Sequence, residues 1–280
     1  MAKDAFDLVI GLGVSGRSVI RYLADQGMPV RALDTREAPA GLDELRQQHP
    51  KLKIHTGGFK ASWMKRAQRL IVSPGVAVST PAIAEQIAEG KEVIGDIELF
   101  ARAASRPLVG ITGSNAKSTV VTLLGEVARA CDAKPGVGGN LGVPALDLLR
   151  EEAELYVLEL SSFQLERAGS LGLAVATVLN ISADHLDRHG SMPRYHQAKH
   201  RIFRGCRKAV INRDDPLTVP LIADDVEQLA WTLGSPALSG RGQADFGLAE
   251  IDGRECLCHG FDPLMPVAEL AMPGRHTVAN

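Results

Sequence analysis

Apolar and polar positions along the 280-residue chain switch between two periods in a regular order. Short apolar runs of strand length recur at Asp7 to Leu12, Pro29 to Leu33, Lys53 to His55 and Arg69 to Val72. Between them, apolar residues fall three and four apart, as at Val19, Ile20 and Leu23 or over Leu42 to Gln48, the spacing of an amphipathic helix. Thr80-Pro81 has the residue types of a helix N-cap and first position. A second series starts with the run Leu108, Val109 and Ile111 and a helix from Lys117 through Val120, Leu123, Leu124 and Val127. It continues with strands at Leu155 to Leu158, Leu173 to Leu179, Val210 to Asn212 and Leu229 to Trp231, and a helix at Tyr195 to Phe203. Near-continuous apolar strands alternating with helices predict an α/β chain with parallel sheets covered on both faces. The first series runs out near Ile94, so residues 1–94 and 95–280 are expected to form two units. Gly234 to Met265 shows shorter alternations, the pattern of small antiparallel strands, and the glycine-rich Ala133 to Asn140 reads as a loop.

Composition narrows this picture only a little. Charged residues make up 23% and the formal net charge is −2, so no basic excess points to nucleic acid. The four cysteines, Cys131, Cys206, Cys256 and Cys258, include no paired zinc spacing and are expected as free thiols. No apolar run approaches membrane-spanning length, and the first residues lead into a strand without the layout of a signal peptide. A cytoplasmic protein with no membrane partner is expected.

Chemistry concentrates at the ends of the predicted strands. After the strand at Leu108 come Gly113, Ser114, Asn115 and Ala116, and then Lys117, Ser118 and Thr119 open a helix. Such a loop aims backbone N–H groups and a helix N-terminus at one point, Lys117 adds positive charge, and Ser118 or Thr119 offers an oxygen to Mg²⁺. The general phosphate-loop pattern places Gly at 111 and 116, where this chain has Ile111 and Ala116. An alanine at 116 is strained if its φ is positive and tolerated if it is negative. An ordinary strand-to-helix turn would carry similar residues.

A second glycine pattern, Gly11-x-Gly13-x-x-Gly16, lies between the first strand and first helix, with Asp34 ending the next strand 18 residues after Gly16. This context predicts a Rossmann-type unit. Its ligand stays open: NAD with Asp34 on a ribose hydroxyl, or another diphosphate such as a nucleotide sugar. Ser73-Pro74-Gly75 follows a buried strand on the edge where open α/β sheets bind ligands, although on local grounds a plain Pro-Gly turn accounts for it better.

Glu159 ends an apolar strand beside the phosphate-loop strand, a fitting place for a Mg²⁺ ligand. Asp184-His185-Leu186-Asp187 supplies oxygen and nitrogen donors after another strand, and an acidic surface loop would look the same. Asn140 ends a glycine-rich stretch where it has room to reach a ligand. Nothing local distinguishes Lys199 from any lysine on a helix face.

The segments GLGVSG (Gly11 to Gly16), LDTR (Leu33 to Arg36), SPG (Ser73 to Gly75), GITGSNAKST (Gly110 to Thr119), GGNLG (Gly138 to Gly142), LELSSFQLE (Leu158 to Glu166), NISADHLDRH (Asn180 to His189) and AMPGRH (Ala271 to His276) occur in the order found in the Mur ligases of peptidoglycan synthesis. The chain resembles that family over essentially its whole length, and most closely its D-glutamate-adding branch. The narrower loop T-G-[ST]-N-G-K-[ST] also occurs in folylpolyglutamate synthetase, and Ala116 departs from it.

The resemblance implies an N-terminal Rossmann-like domain for a UDP substrate, a P-loop ATPase-type central domain and a C-terminal Rossmann-like domain for the amino acid. It implies UDP-N-acetylmuramoyl-L-alanine, ATP and D-glutamate as partners. Val14, Ser15, Thr35, Arg36, Ser73, Asn140 and His185 would meet the UDP substrate. Gly113, Ser114, Asn115, Ala116, Lys117, Ser118 and Thr119 would hold ATP. Two Mg²⁺ sites follow, one on Ser118 and Glu159 and one on His185 and a carbamylated Lys199. Lys117, His185 and Lys199 would be the catalytic set.

The family motif P-G-x-H-N-x-x-N leads toward the third domain. Here Pro273-Gly274-Arg275-His276-Thr277-Val278-Ala279-Asn280 matches it with Thr277 in place of Asn and then stops, so a two-domain form without the C-terminal domain is expected. Such a form would be a monomer that binds the UDP substrate and ligates poorly. The rival class is an NAD(P)-dependent oxidoreductase, which leaves Lys117, Glu159 and His185 without a role.

Overall fold

The computed structural model describes residues 5–222, 226–237, 244–271 and 274–279. Its first sheet collects the first series of predicted strands, β1 (Asp7–Ile10), β2 (Val30–Asp34), β3 (Lys53–Thr56) and β4 (Arg69–Val72), and adds β5 (Glu92–Ile94), a three-residue strand that the pattern does not predict. The order is β3-β2-β1-β4-β5 and every pairing is parallel. The chain leaves β1 toward β2 on one side and later returns to β4 on the other, which opens a crevice at the carboxyl ends of β1 and β4. The helices α1 (Val14–Asp25), α2 (Leu42–Gln48), α3 (Ala61–Arg66) and α4 (Pro81–Ala88) make the crossovers. Thr80 occupies the N-cap of α4, but its side chain makes no cap bond; Pro81 alone fixes the helix start.

The helix α5 (Asp96–Ala103) leads to a second sheet. Six parallel strands, β6 (Leu108–Thr112), β7 (Pro135–Gly139), β8 (Leu155–Glu159), β9 (Val175–Val178), β10 (Lys208–Asn212) and β11 (Glu227–Trp231), are followed by an antiparallel ribbon of β12 (Phe246–Ile251), β13 (Arg254–His259) and β14 (Asp262–Pro266). The order β14-β13-β12-β11-β10-β9-β6-β8-β7 puts β6 between β9 and β8, so the carboxyl ends of three strands surround whatever follows β6. The helices here are α6 (Lys117–Ala130), α7 (Ser162–Leu165), α8 (Leu186–His189), α9 (Met192–His200) and α10 (Arg275–Ala279). Pro273 and Asn280 of the final motif lie outside the described residues.

One expectation is corrected. The glycine-rich stretch before Asn140 is not a loop, because Pro135–Gly139 pairs with β8 as an edge strand. Its glycines are there for close approach: a Cβ on Gly138 would lie 2.2 Å from the Val143 carbonyl oxygen, and one on Gly139 would lie 2.4 Å from that of Glu159. The composition of a loop is here the composition of a strand pressed against its neighbours.

The two sheets share one apolar core. Val19, Ile20 and Leu23 of α1, Ile97 and Phe100 of α5 and Leu146 and Leu148 of a short 3₁₀ turn are fully buried in the same cluster as Tyr156 and Leu158 of β8. The Phe100 and Tyr156 rings meet edge to face at 5.1 Å. Polar contacts border this seam: Arg21 with Asp147 at 2.5 Å, Arg150 with Asp25, and the Arg167 guanidinium donating to the Val76 carbonyl. The crevice of the first sheet and the loop after β6 are therefore held in a fixed mutual position.

The tightest packing in the first sheet is between its glycine turn and α1. A Cβ on Gly16 would fall 1.8 Å from the Gly11 carbonyl oxygen, which already accepts a 2.6 Å bond from Ser73 Oγ. Replacing Gly16 by Ala forces α1 away from β1 and is expected to cost on the order of 3 kcal/mol, read as a fall in the urea midpoint of unfolding.

Candidate functional site

The loop after β6 is held in shape from three directions. The Ser114 N–H donates to the Asn180 carbonyl at 3.0 Å, and the Asn115 N–H donates to Asn180 Oδ1 at 2.9 Å. Ser114 Oγ donates to the Ser182 carbonyl at 3.0 Å, accepts from the Ser182 N–H, and lies 3.1 Å from the Tyr195 hydroxyl. Lys199 Nζ donates to the Gly113 carbonyl at 2.7 Å. Segments remote in sequence thus immobilise the loop before any ligand arrives, which is what a phosphate cradle requires.

Ala116 caps α6 with φ at +65° and ψ at 0°. The left-handed conformation that would make alanine strained here is the one adopted. His185, the residue before α8, is also left-handed, with φ at +51°. Non-glycine residues are held this way only where their surroundings over-determine them.

Glu159 is 3% exposed at the tip of β8. Ser118 Oγ donates to its Oε2 at 2.7 Å, Asn140 Nδ2 donates to its Oε1 at 2.9 Å, and the Asn140 N–H donates to its carbonyl at 2.8 Å. Gly139, with φ at +112°, provides the backbone turn that brings Asn140 there. A carboxylate so deeply buried is stable only when its lone pairs are engaged by donors or a cation. Among the described residues no three His, Cys, Asp or Glu side chains converge on one point. A carboxylate and a hydroxyl at a helix N-terminus suit a hard cation whose remaining ligands are water and phosphate oxygens, so the residues present fit Mg²⁺.

Lys199 is the largest departure from its sequence appearance. It is 2% exposed, and its ammonium lies 4.7 Å from the centre of the Tyr195 ring. Burial pushes its pKa down to about 7, helped by the positive charge of Lys117 and opposed by Asp184 and Glu159. A substantial fraction of this lysine is therefore a neutral amine at physiological pH. His185 stays with Asp184, 3.4 Å from its carboxylate, and packs on the Phe163 ring at 5.0 Å. His189 also stacks on Phe163, at 5.3 Å, and meets Ser162 Oγ at 3.0 Å; burial lowers its pKa.

The crevice of the first sheet forms a cavity of about 440 Å³. Val14, Ser15, Thr35, Arg36, Ser73 and Asn140 line it together with the glycine turn; His185 does not. Asp34 also borders it, yet its carboxylate accepts from the Leu12 N–H at 2.7 Å and from the Arg36 N–H and guanidinium at 2.7–2.9 Å. Burial alone would raise the Asp34 pKa, but these bonds bring it below the ordinary value. The carboxylate that a dinucleotide reading would place on ribose is already committed to the protein.

Three residues escaped the sequence reading. Tyr195 buttresses Ser114, Phe163 contacts both His185 and His189, and Gln164 lines the cavity. Gln164 had a signal, since Ser161-x-x-Gln164 is a capping box, and both of its reciprocal bonds form at the start of α7. Its Nε2 then donates to Asp96 Oδ2 at 3.2 Å across the seam between the sheets.

Two measurements test these features. Ala116→Gly relieves the left-handed alanine and is expected to stabilise the ligand-free chain by about 1 kcal/mol in urea unfolding. For Lys199, the folded-state pKa near 7 lies below the reference value of 10.5. Between those values the unfolded chain binds more protons, so stability rises with pH across that window. Lys199→Met is expected to flatten this part of the stability–pH curve.

Comparison with known proteins places these features in a family. Residues 6–95 match the model for the Mur ligase MurD-like N-terminal domain, and residues 111–280 match that for the Mur ligase middle domain. All 280 residues align with the UDP-N-acetylmuramoylalanine--D-glutamate ligases of Alcanivorax borkumensis, at 63% identity, and Pseudomonas aeruginosa, at 52%. The chain spans 61% of the length of each. Among solved structures, the fold matches UDP-N-acetylmuramate:L-alanyl-gamma-D-glutamyl-meso-diaminopimelate ligase from Neisseria meningitides, with TM-score 0.60 and 15% identity over 98% of this chain and 90% of that one. It also matches the UDP-N-acetylmuramate-alanine ligase MurC of Thermotoga maritima, with TM-score 0.54 and 18% identity over 98% of this chain and 62% of that one. With a middle-domain match over more than half its length, behind a MurD-like first domain, the chain belongs to the Mur ligase family.

Proposed function

We propose that the chain activates the carboxylate of UDP-N-acetylmuramoyl-L-alanine with ATP for coupling to D-glutamate, with residues 1–94 serving the UDP substrate and 95–280 the nucleotide. The observation that carries this reading is the pair of sites itself: a diphosphate-sized crevice and a phosphate loop meet at Asn140 and Glu159. The curated relatives bear the name of this ligase, and the identity to them supports the choice of substrate.

In this reading Val14, Ser15, Thr35, Arg36 and Ser73 receive the UDP end, with Asn140 and His185 nearer the reacting end. Gly113 to Thr119 cradle the ATP phosphates. Ser118 and Glu159 hold one Mg²⁺, and His185 with carbamylated Lys199 holds a second. These cations would neutralise the phosphate oxygens. The carboxylate oxygen attacks the γ-phosphorus in line, and ADP leaves with the electrons of the broken P–O bond. Two anions must approach for this, and Lys117 at the helix N-terminus offsets their repulsion. The amine nitrogen of D-glutamate then attacks the acyl carbon, phosphate leaves, and the amine gives up a proton. The two sites described account for activation.

Lys199 supports carbamylation physically. The lone pair of its neutral amine attacks the carbon of CO₂, an N–C bond forms, and the N–H proton goes to solvent. The product is an anion that turns a buried cation into a metal ligand. At fixed dissolved CO₂, carbamate seen by ¹³C NMR is expected to increase as pH rises through about 7, following the Lys199 amine, and to vanish in Lys199→Arg.

Calorimetric titration tests the substrate. Saturable binding of UDP-N-acetylmuramoyl-L-alanine, with none of NAD, is expected; NAD binding in its place would sink the reading.

A further inference from the structure

We propose that Asn140 is a positioning residue that couples the two sites, so that UDP-substrate and Mg²⁺-nucleotide each tighten the binding of the other. The inference rests on the proposed function and adds a regulatory link to it.

Asn140 is the residue at which the two sites touch. It lines the crevice of the first sheet, and its side chain also bonds the carboxylate of the second. An amide has a donor end and an acceptor end. The donor, Nδ2, is committed to Glu159 Oε1 at 2.9 Å, which leaves Oδ1 for a donor in the crevice. Ser118 engages the other carboxylate oxygen at 2.7 Å. Ser118, Glu159 and Asn140 therefore form a continuous chain of hydrogen bonds from the first turn of α6 to the wall of the crevice.

The backbone around Asn140 is fixed. Its N–H donates to the Glu159 carbonyl at 2.8 Å, and Gly139 holds β7 so close to β8 that a side chain at 139 would collide with that carbonyl. The side chain itself lies at an exposed position, so its ordering costs entropy that the first ligand bears. A UDP-substrate donor that fixes Oδ1 also fixes Nδ2, which holds Glu159 in one orientation for the cation. A cation on Glu159 conversely fixes the amide for the substrate. The second ligand to arrive finds the chain already ordered, so the coupling is positive. Linkage requires it to be equal in both directions.

The test is a titration square. Affinity for UDP-N-acetylmuramoyl-L-alanine is measured with and without a non-hydrolysable ATP analogue and Mg²⁺, and affinity for the analogue with and without the UDP-substrate, in the wild type and in Asn140→Ala. In the wild type each ligand is expected to tighten the other by the same factor, about fivefold or more. In Asn140→Ala that factor is expected to fall to about one in a variant that still unfolds cooperatively, with a lower melting temperature because Glu159 Oε1 loses its donor. A residue that merely touches the substrate would weaken its binding equally with and without nucleotide. An unchanged coupling factor in Asn140→Ala, or independent binding in the wild type, would overturn the inference. Failure of the wild type to bind either ligand alone would instead overturn the proposed function and take this inference with it.

Discussion

The arrangement depends on one buried carboxylate. Glu159 is almost completely removed from water at the end of an apolar strand, where an unpartnered charge would be expensive. Ser118 and Asn140 satisfy its two oxygens, and each belongs to a different part of the machinery. The parallel register places Glu159 opposite Ile111 of the phosphate-loop strand and Gly139 of the edge strand. Strand order, glycine content at 138–139 and the first turn of α6 are all conditions for that one side chain to be stable where it is. The same conditions set it beside the first turn of α6.

A second economy appears at Lys199. Among apolar and aromatic neighbours, with Lys117 nearby, an ammonium is disfavoured, and the structure accommodates it with backbone and hydroxyl acceptors at Gly113 and Thr112. The lysine thereby braces the loop that it serves. Its partial neutrality follows from burial, and its place beneath the loop goes with Tyr195, whose ring it approaches and whose hydroxyl lies 3.1 Å from Ser114 Oγ. A loop brace and a partly neutral amine coincide in one residue.

How far the sequence disclosed this depended on the kind of signal. Most strands of both sheets were legible because buried parallel strands are near-continuous apolar runs, and both glycine turns were legible because their contexts are strand before and helix after. The edge strand before Asn140 was not, since Gly136, Gly138 and Gly139 leave no side-chain periodicity to read. The α5 helix was missed because the attention of the pattern falls on a change of unit there, although Ile97, Leu99 and Phe100 are all buried. Lys199 looked ordinary because helix spacing reports which face a residue is on and not what packs over it. Asp34 was legible as a strand-end acid, but its engagement by Leu12 and Arg36 depends on how a turn closes in space.

The apolar seam that joins the two sheets has a further meaning. Because α1, α5 and the Leu146 turn lock the crevice and the loop after β6 into one block, the distance between the two is set by the fold. Such a block acts as a ruler. Under the proposed function, a substrate carrying one residue too many or too few between its diphosphate and its carboxylate would present that carboxylate out of line. Selection by length would then need no side chain that recognises the peptide at all.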